Sequence, residues 1–164
     1  MQFLKNNNIF YNYNILKYYS LIVSKTYVNI SLLLSQHNKI LMSLRKNTGY
    51  EDHKWSLICG NQENNESALY TAIREAREEI GININTCDLQ VLHIMHRKTS
   101  RENIDVFIQC KKWDGIIKNK EPQKCESLRF YEIDKLPINT VEYIADALRS
   151  IKQLQFYSEK GWSI

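Results

Sequence analysis

The stretch Gly60–Ile82, "GNQENNESALYTAIREAREEIGI", decides how this chain is read. Gly60 to Glu66 is polar and turn-rich, whereas from Ser67 onward Leu69, Ala72, Ile73, Ala76 and Ile80 recur at the spacing of one buried helical face. Gly81 then sits where a left-handed C-terminal cap belongs. A helix over 67–80 follows. On it Glu75, Glu78 and Glu79 stand at i, i+3 and i+4, within about 100° of one another. Like charges so placed cost a helix a few tenths of a kcal/mol per pair, and the helix dipole disfavours acid in its C-terminal half. A solvated face tied down by pairs such as Arg74 with Glu78 is the ordinary explanation. Concentrated acid in a chain of net charge +4 asks instead for a cation.

Upstream, "YVNISLLL" (27–34) and "ILMSLRK" (40–46) flank the turn-forming "SQHNK" and predict a β-hairpin. "NTGYEDHK" reads as a loop, and "KWSLIC" as a short strand ending at Gly60. Downstream, "LQVLHIMHR" (89–97) and "NIDVFIQCKKW" (103–113) flank "KTSRE" as two further antiparallel strands, and "SLRFYEI" (127–133) is another. In "NTVEYIADALRSIKQL", Val141, Ile144, Ala145, Leu148 and Ile151 share one face of a second helix, capped by Asn139 or Thr140. Strands clustered around two helices imply an α+β sandwich.

The 164 residues, 43% apolar and 24% charged, suit one globular domain with a single core. Residues 1–20, biased to Asn, Tyr and Lys, are set apart as an N-terminal extension, leaving 21–164 as the domain. The modest basic excess favours anionic ligands but lacks the dense field of a duplex-DNA binder. Cys59, Cys87, Cys110 and Cys125 are too far apart in sequence for a CxxC metal site and are read as reduced thiols. No run reaches the roughly 18 apolar residues of a membrane span, and the start of the chain lacks a secretory signal's compact apolar segment. A cytoplasmic location is expected.

Read from Gly60, the pattern is five residues to Glu66, seven more to Arg74-Glu75, then Ala76, Arg77, Glu78-Glu79, Ile80, Gly81 and Ile82. This resembles the Nudix box, GX5EX7REUXEEXGU with U aliphatic, at every fixed position. Such a match arises by chance on the order of once in a million chains. The chain departs from the usual pattern at Ala76, smaller than the common Ile, Leu or Val. It also reads Trp55-Ser56-Leu57-Ile58-Cys59-Gly60 where family members often have W-x-L-P-G-G. The resemblance spans about Tyr27 to Leu154 and is nearest to the MutT-like branch. It implies a Nudix-type α/β/α sandwich, a mixed central sheet between two main helices.

The resemblance further implies hydrolysis of the diphosphate linkage in a nucleoside diphosphate derivative, with Mg²⁺ or Mn²⁺ as cofactor. Glu75, Glu78 and Glu79, with the Gly60 carbonyl, are the implied metal ligands, and Glu121, in "KWDGIIKNKEPQKCE", approaches the metal or catalytic water. Arg74 orients the glutamates, and either Glu78 or Glu121 takes the proton of the attacking water. Arg45 matches a phosphate-contacting Arg, and Asn139 a base-contacting Asn. The implied reaction is that of a nucleoside triphosphate pyrophosphohydrolase releasing monophosphate and pyrophosphate. Hydrolysis of ADP-ribose, another nucleotide sugar, a dinucleotide polyphosphate or an RNA cap would use the same box. A nucleotide- or RNA-binding module without turnover is the alternative from another class. The expected partner is a small nucleotide, with RNA not favoured, for a monomer or homodimer. Glu66 is expected to support the loop.

Weaker features have ordinary structural explanations. His93 and His96, three residues apart, face opposite sides of a regular strand unless a bulge intervenes. Phe107, Tyr131 and Trp55 could stack on a base but more commonly fill a core. Lys111, Lys112, Lys118, Lys120 and Lys124 are read as a solvated basic loop.

Overall fold

Strand β1 (Thr26–Gln36) runs through the middle of the sheet, and its sequence shows why. Ile30, Leu32 and Leu34 enter one core with Ala72, Ala76 and Ile80 of helix α1 (Ala68–Ile80), whereas Leu33 enters a second with Ile144, Ala147 and Leu148 of helix α2 (Glu142–Lys152). A strand buried on both faces reads as a near-continuous apolar run. The computed structural model describes residues 25–163, so the expected extension over residues 1–20 lies outside the described residues.

The remaining strands are β2 (Lys39–Arg45), β3 (Trp55–Ser56), β4 (Ile58–Asn61), β5 (Leu89–Lys98), β6 (Glu102–Cys110), β7 (Cys125–Glu132) and β8 (Tyr157–Lys160). β1 lies antiparallel to β4 and parallel to β6, β6 is antiparallel to β5, and β5 is parallel to β8. The mixed sheet between two helices is the expected α/β/α arrangement.

Several local expectations need correction. The β1–β2 hairpin exists only beside its turn, at Ser35↔Ile40 and Gln36↔Lys39. His37 and Asn38 both adopt positive φ there, as a tight hairpin turn requires. The strands then part, and β2 pairs with β3 and β7 instead. The single strand expected over "KWSLIC" is two strands separated at Leu57. With Ile58 and Cys59 in place of Pro and Gly, β4 continues through Gly60 to Asn61, so Gly60 is a strand residue.

Helix α1 begins and ends as its sequence specifies. The Ser67 side chain accepts from the Tyr70 N–H, and Gly81 takes the left-handed conformation (φ 72°), donating to the carbonyls of Ala76 and Arg77. Helix α2 is shorter than expected, and neither Asn139 nor Thr140 caps it. Its preceding residue is Val141, which provides no side-chain hydrogen bond, while the Thr140 hydroxyl is turned to the Pro137 carbonyl. Burying Val141 in the α2 core sets that helix start.

β8 has no signal in the sequence, because "YSEK" lacks apolar alternation. His93 holds it: the fully buried ring contacts the Gln155 carbonyl at 2.8 Å and the Ser158 hydroxyl at 2.9 Å. The bulge in β5 falls between Val91 and His93, ahead of the histidine pair, so His93 and His96 do face opposite sides. Phe107 is core, and Trp55 is buried edge-on against Tyr131 at 4.9 Å between ring centroids.

Candidate active site

Arg74 is the hub of the acidic helix. Its Nε and Nη2 donate to the two oxygens of Glu66 at 2.9 and 3.0 Å, its Nη1 to Glu75 at 2.6 Å and Glu78 at 3.1 Å, and Nη2 also to the Asn61 carbonyl at 3.1 Å. A planar guanidinium with five donors suits this multiple grip, where lysine would not. Glu66 additionally accepts from the Thr71 hydroxyl and the Glu63 N–H. The hydrogen bonds from Arg74 above all hold its carboxyl down to about 2. Glu66 therefore fastens the loop to the helix, as expected.

Gly60 has a different reason to lack a side chain. A Cβ built there would lie 1.7 Å from Glu75 Oε1, so only glycine lets that carboxylate seat against β4. Glu79 is drawn to the same strand by the Cys59 N–H at 3.2 Å. Burial, followed by repulsion from Glu75, pushes Glu79 up to about 8. Burial also raises Glu75, with Arg74 opposing, and the charges of Glu78 and Glu121 add to the rise. Cys59 is no nucleophile at neutral pH, because burial, reinforced by Glu79, pushes its thiol up to about 12.

Glu121 arrives from the loop before β7. That loop docks on the C-terminal end of α1, where the Lys118 and Lys120 N–H groups donate to the carbonyls of Ile80 and Glu79. The side chain of Glu121 accepts from Lys124 Nζ at 2.9 Å, and its charge is felt at both Glu75 and Glu79. The basic loop is thus partly structural.

Glu75 and Glu79 both seat against β4 beside Gly60, and the charge of Glu121 reaches them from its loop, whereas Glu78 points away. Its side chain is 54% exposed and reaches back to Arg74. Among the described residues no three His, Cys, Asp or Glu side chains share one ligand sphere. The donor set nonetheless fits a divalent cation, since it consists of hard oxygen ligands, two of which, Glu75 and Glu79, are raised first by burial and then by neighbouring carboxylates, beside a glycine that makes room for one of them.

Arg45 stands at the end of β2, where its Nε donates to the Tyr50 carbonyl and its Nη2 to the Thr48 hydroxyl, both at 2.9 Å. Its charge still acts on Glu79. Asn139 is exposed, and its Nδ2 donates to the His53 carbonyl at 2.9 Å, joining the approach to α2 to the loop after β2. A separate cleft of about 460 Å³, lined by Leu33, His37, Ile40, Lys111 and Ile151 among others, lies towards the opposite end of β1 from Gly60 and has no part in this chemistry.

The NUDIX domain model matches residues 25–152. The chain belongs to the Nudix family. Similar solved structures include the MutT NUDIX hydrolase from Burkholderia pseudomallei (21% identity, TM-score 0.70, covering 77% of this chain and 98% of that one). The MutT protein from Methanosarcina mazei Go1 is 15% identical, with a TM-score of 0.69 and coverage of 80% and 96%. A UDP-X diphosphatase is 18% identical, with a TM-score of 0.61 and coverage of 96% and 77%. No match was found among curated proteins. Membership makes the protein a hydrolase of a family that acts on nucleotide substrates and generally uses a divalent metal. Among the described residues no helix is long and apolar enough to cross a membrane.

Proposed function

We propose that this Nudix hydrolase is a Mg²⁺- or Mn²⁺-dependent nucleoside triphosphate pyrophosphohydrolase of the MutT-like kind, releasing monophosphate and pyrophosphate. The observation that carries this reading is the seating of the Glu75 carboxylate on Gly60, with Glu79 and Glu121 alongside. Glu75, Glu79, the Gly60 carbonyl and Glu121 would hold the metal, with Glu78 turned in from the surface. A bound divalent ion supplies neutralisation of the phosphate charge and a more acidic water.

The chain's own groups do the rest. Arg74 fixes Glu75 and Glu66 and sets the angle at which the helix presents its acids. Arg45 would offer a cationic group to phosphate oxygens, and the exposed Asn139 would offer its amide to the base. Water adds to one phosphorus in line as the bridging P–O bond breaks. Glu78, exposed and able to swing, or Glu121 receives the proton.

Action on a nucleotide sugar is the competing reading, supported by the likeness to a UDP-X diphosphatase over almost the whole chain. A panel of nucleoside triphosphates, nucleotide sugars, dinucleotide polyphosphates and capped RNA, each with Mg²⁺ and with Mn²⁺, separates them. Pyrophosphate release from a triphosphate is expected. Nucleotide binding without release of pyrophosphate or phosphate from any member would leave a binding module instead.

A further inference from the structure

The cleft of about 460 Å³ at the far end of β1 lies between the last turn of α2 and the sheet. Its floor is Leu33 of β1 and Ile40 of β2, both buried in the α2 core. Ile151 of α2 and Ile133, just after β7, supply aliphatic groups that are only partly covered by that core.

An irregularity in β5 supplies another wall. Val91 pairs with Ile108 and His93 with Phe107, which leaves Leu92 as an extra residue with no cross-strand partner. Val91 packs on the α1 core, and the buried His93 ring lies 5.7 Å from that of Phe107. Leu92 belongs to neither core and lines the cleft, half-buried. Bulges re-aim side chains in this way. The end of the cleft is closed by the turn at His37 and Asn38, both at positive φ, and the Asn38 carbonyl accepts from the Ile133 N–H at 3.3 Å. Backbone pairing thus holds the concavity open.

The polar groups around it share one sign. Lys39, Lys111 and His37 line the cleft, and among the described residues no Asp or Glu does. The acids at the end of β7 are already engaged, Glu132 by Lys135 and Asp134 by Lys152. Lys111 follows Gln109 by two residues and so stands on the same side of that chain segment. Gln109 Nε2 donates to the Ser35 hydroxyl at 3.1 Å, and that hydroxyl keeps its own proton to donate.

We propose that this cleft binds a small aliphatic carboxylate, its chain over Leu33, Ile40, Leu92 and Ile151 and its head group met by Lys111 and the Ser35 hydroxyl. The volume falls within the roughly 300–1,000 Å³ of small-molecule clefts. An aliphatic body matches walls that, apart from the His37 imidazole, offer no ring for stacking. An amine with the same chain would meet like charge and is disfavoured. Nothing in this site draws on the hydrolytic reading.

The test uses the full chain labelled with ¹⁵N, titrated with octanoate and followed by amide chemical shifts, with octylamine and acetate as controls. Saturable shifts centred on Leu92, Gln109, Ile133 and Ile151 are expected. Octylamine should bind at least about tenfold more weakly, and acetate, which lacks the chain, should not saturate. Lys111→Glu, at an exposed residue, should weaken octanoate about tenfold with the rest of the spectrum unchanged. Leu92→Glu, outside both cores, should abolish binding. No saturable shift at these amides, equal affinity for octanoate and octylamine, or binding untouched by both variants overturns the proposal. Sedimentation velocity of the same samples decides against a second occupant: a wild-type dimer that Leu92→Glu converts to monomer would make the cleft a contact between copies and also overturn it.

Discussion

Around Arg74 the donors and acceptors are matched: the guanidinium grips three glutamates and a carbonyl, and Glu66 is filled by Arg74, Thr71 and Glu63. Across the sheet, the buried Ser31 hydroxyl has no partner among the described residues. The first region fixes its geometry through its own side chains, so it can prepare charge and position in advance. The second keeps one buried hydroxyl unpaired, and an unpaired buried polar group costs stability.

The largest effect should come from the matched side. Glu78→Gln keeps the shape of the residue and removes its charge, so turnover is expected to fall by about three powers of ten or more, or ~4 kcal/mol of barrier. The melting temperature should hardly move, since the side chain is exposed. Normal turnover in this variant would separate the acidic helix from the chemistry altogether.

On the other side, Asp105→Ala strands the Arg97 charge in the interior and should cost about 3–5 kcal/mol of stability in a denaturant titration. Pairing Asp105→Leu with Arg97→Met should recover most of that loss, because an apolar pair needs no partner. Failure to recover would show that the ion pair does more than back the Tyr143 ring, which the Arg97 guanidinium covers at 4.0 Å from the centroid.

The pH dependence sharpens the contrast further. Glu79 takes up a proton more readily in the folded state than its ordinary value of 4.5 would give, up to about 8. Over that window Glu79 binds more protons in the native chain than in the unfolded one, so its contribution to stability is fully present below 4.5 and is lost as pH rises towards 8. Thermal melts of metal-free protein between pH 5 and 8 should show the decline, and Glu79→Gln should flatten it. The smallest effect concerns helix ends. Ser67→Ala removes the cap of α1 and should cost about 1 kcal/mol in the same melts, whereas Thr140→Ala, outside any cap, should cost less.

These regions also differ in how far the sequence exposes them. Arg74, Glu75, Glu78, Glu79 and Gly81 lie on one helix, where chemistry and capping fix residue type at fixed spacing, so they could be read directly. Glu121 emerged through family resemblance, and the structure supplies the cause in the docking of its loop on α1. Ser31, Tyr50 and Tyr143 leave no local pattern. Their surroundings are set by the pairing of β1 with β4 and by the tie between the loop after β2 and the approach to α2, and long-range pairing leaves no periodicity to detect. β8 was invisible for a related reason, as its place depends on a histidine more than sixty residues earlier.

The parallel register of β1 with β6, Thr26 beside Glu102 through to Leu34 beside Cys110, has a bearing on biosynthesis. As the chain leaves the ribosome, "ISLLL" emerges well before the strand that shields one of its edges has been translated. Closing so wide a loop is entropically slow, and for that interval the nascent polypeptide displays a sticky β-forming segment. Demand for chaperone protection should therefore peak in the middle of translation and end once Cys110 has cleared the exit tunnel.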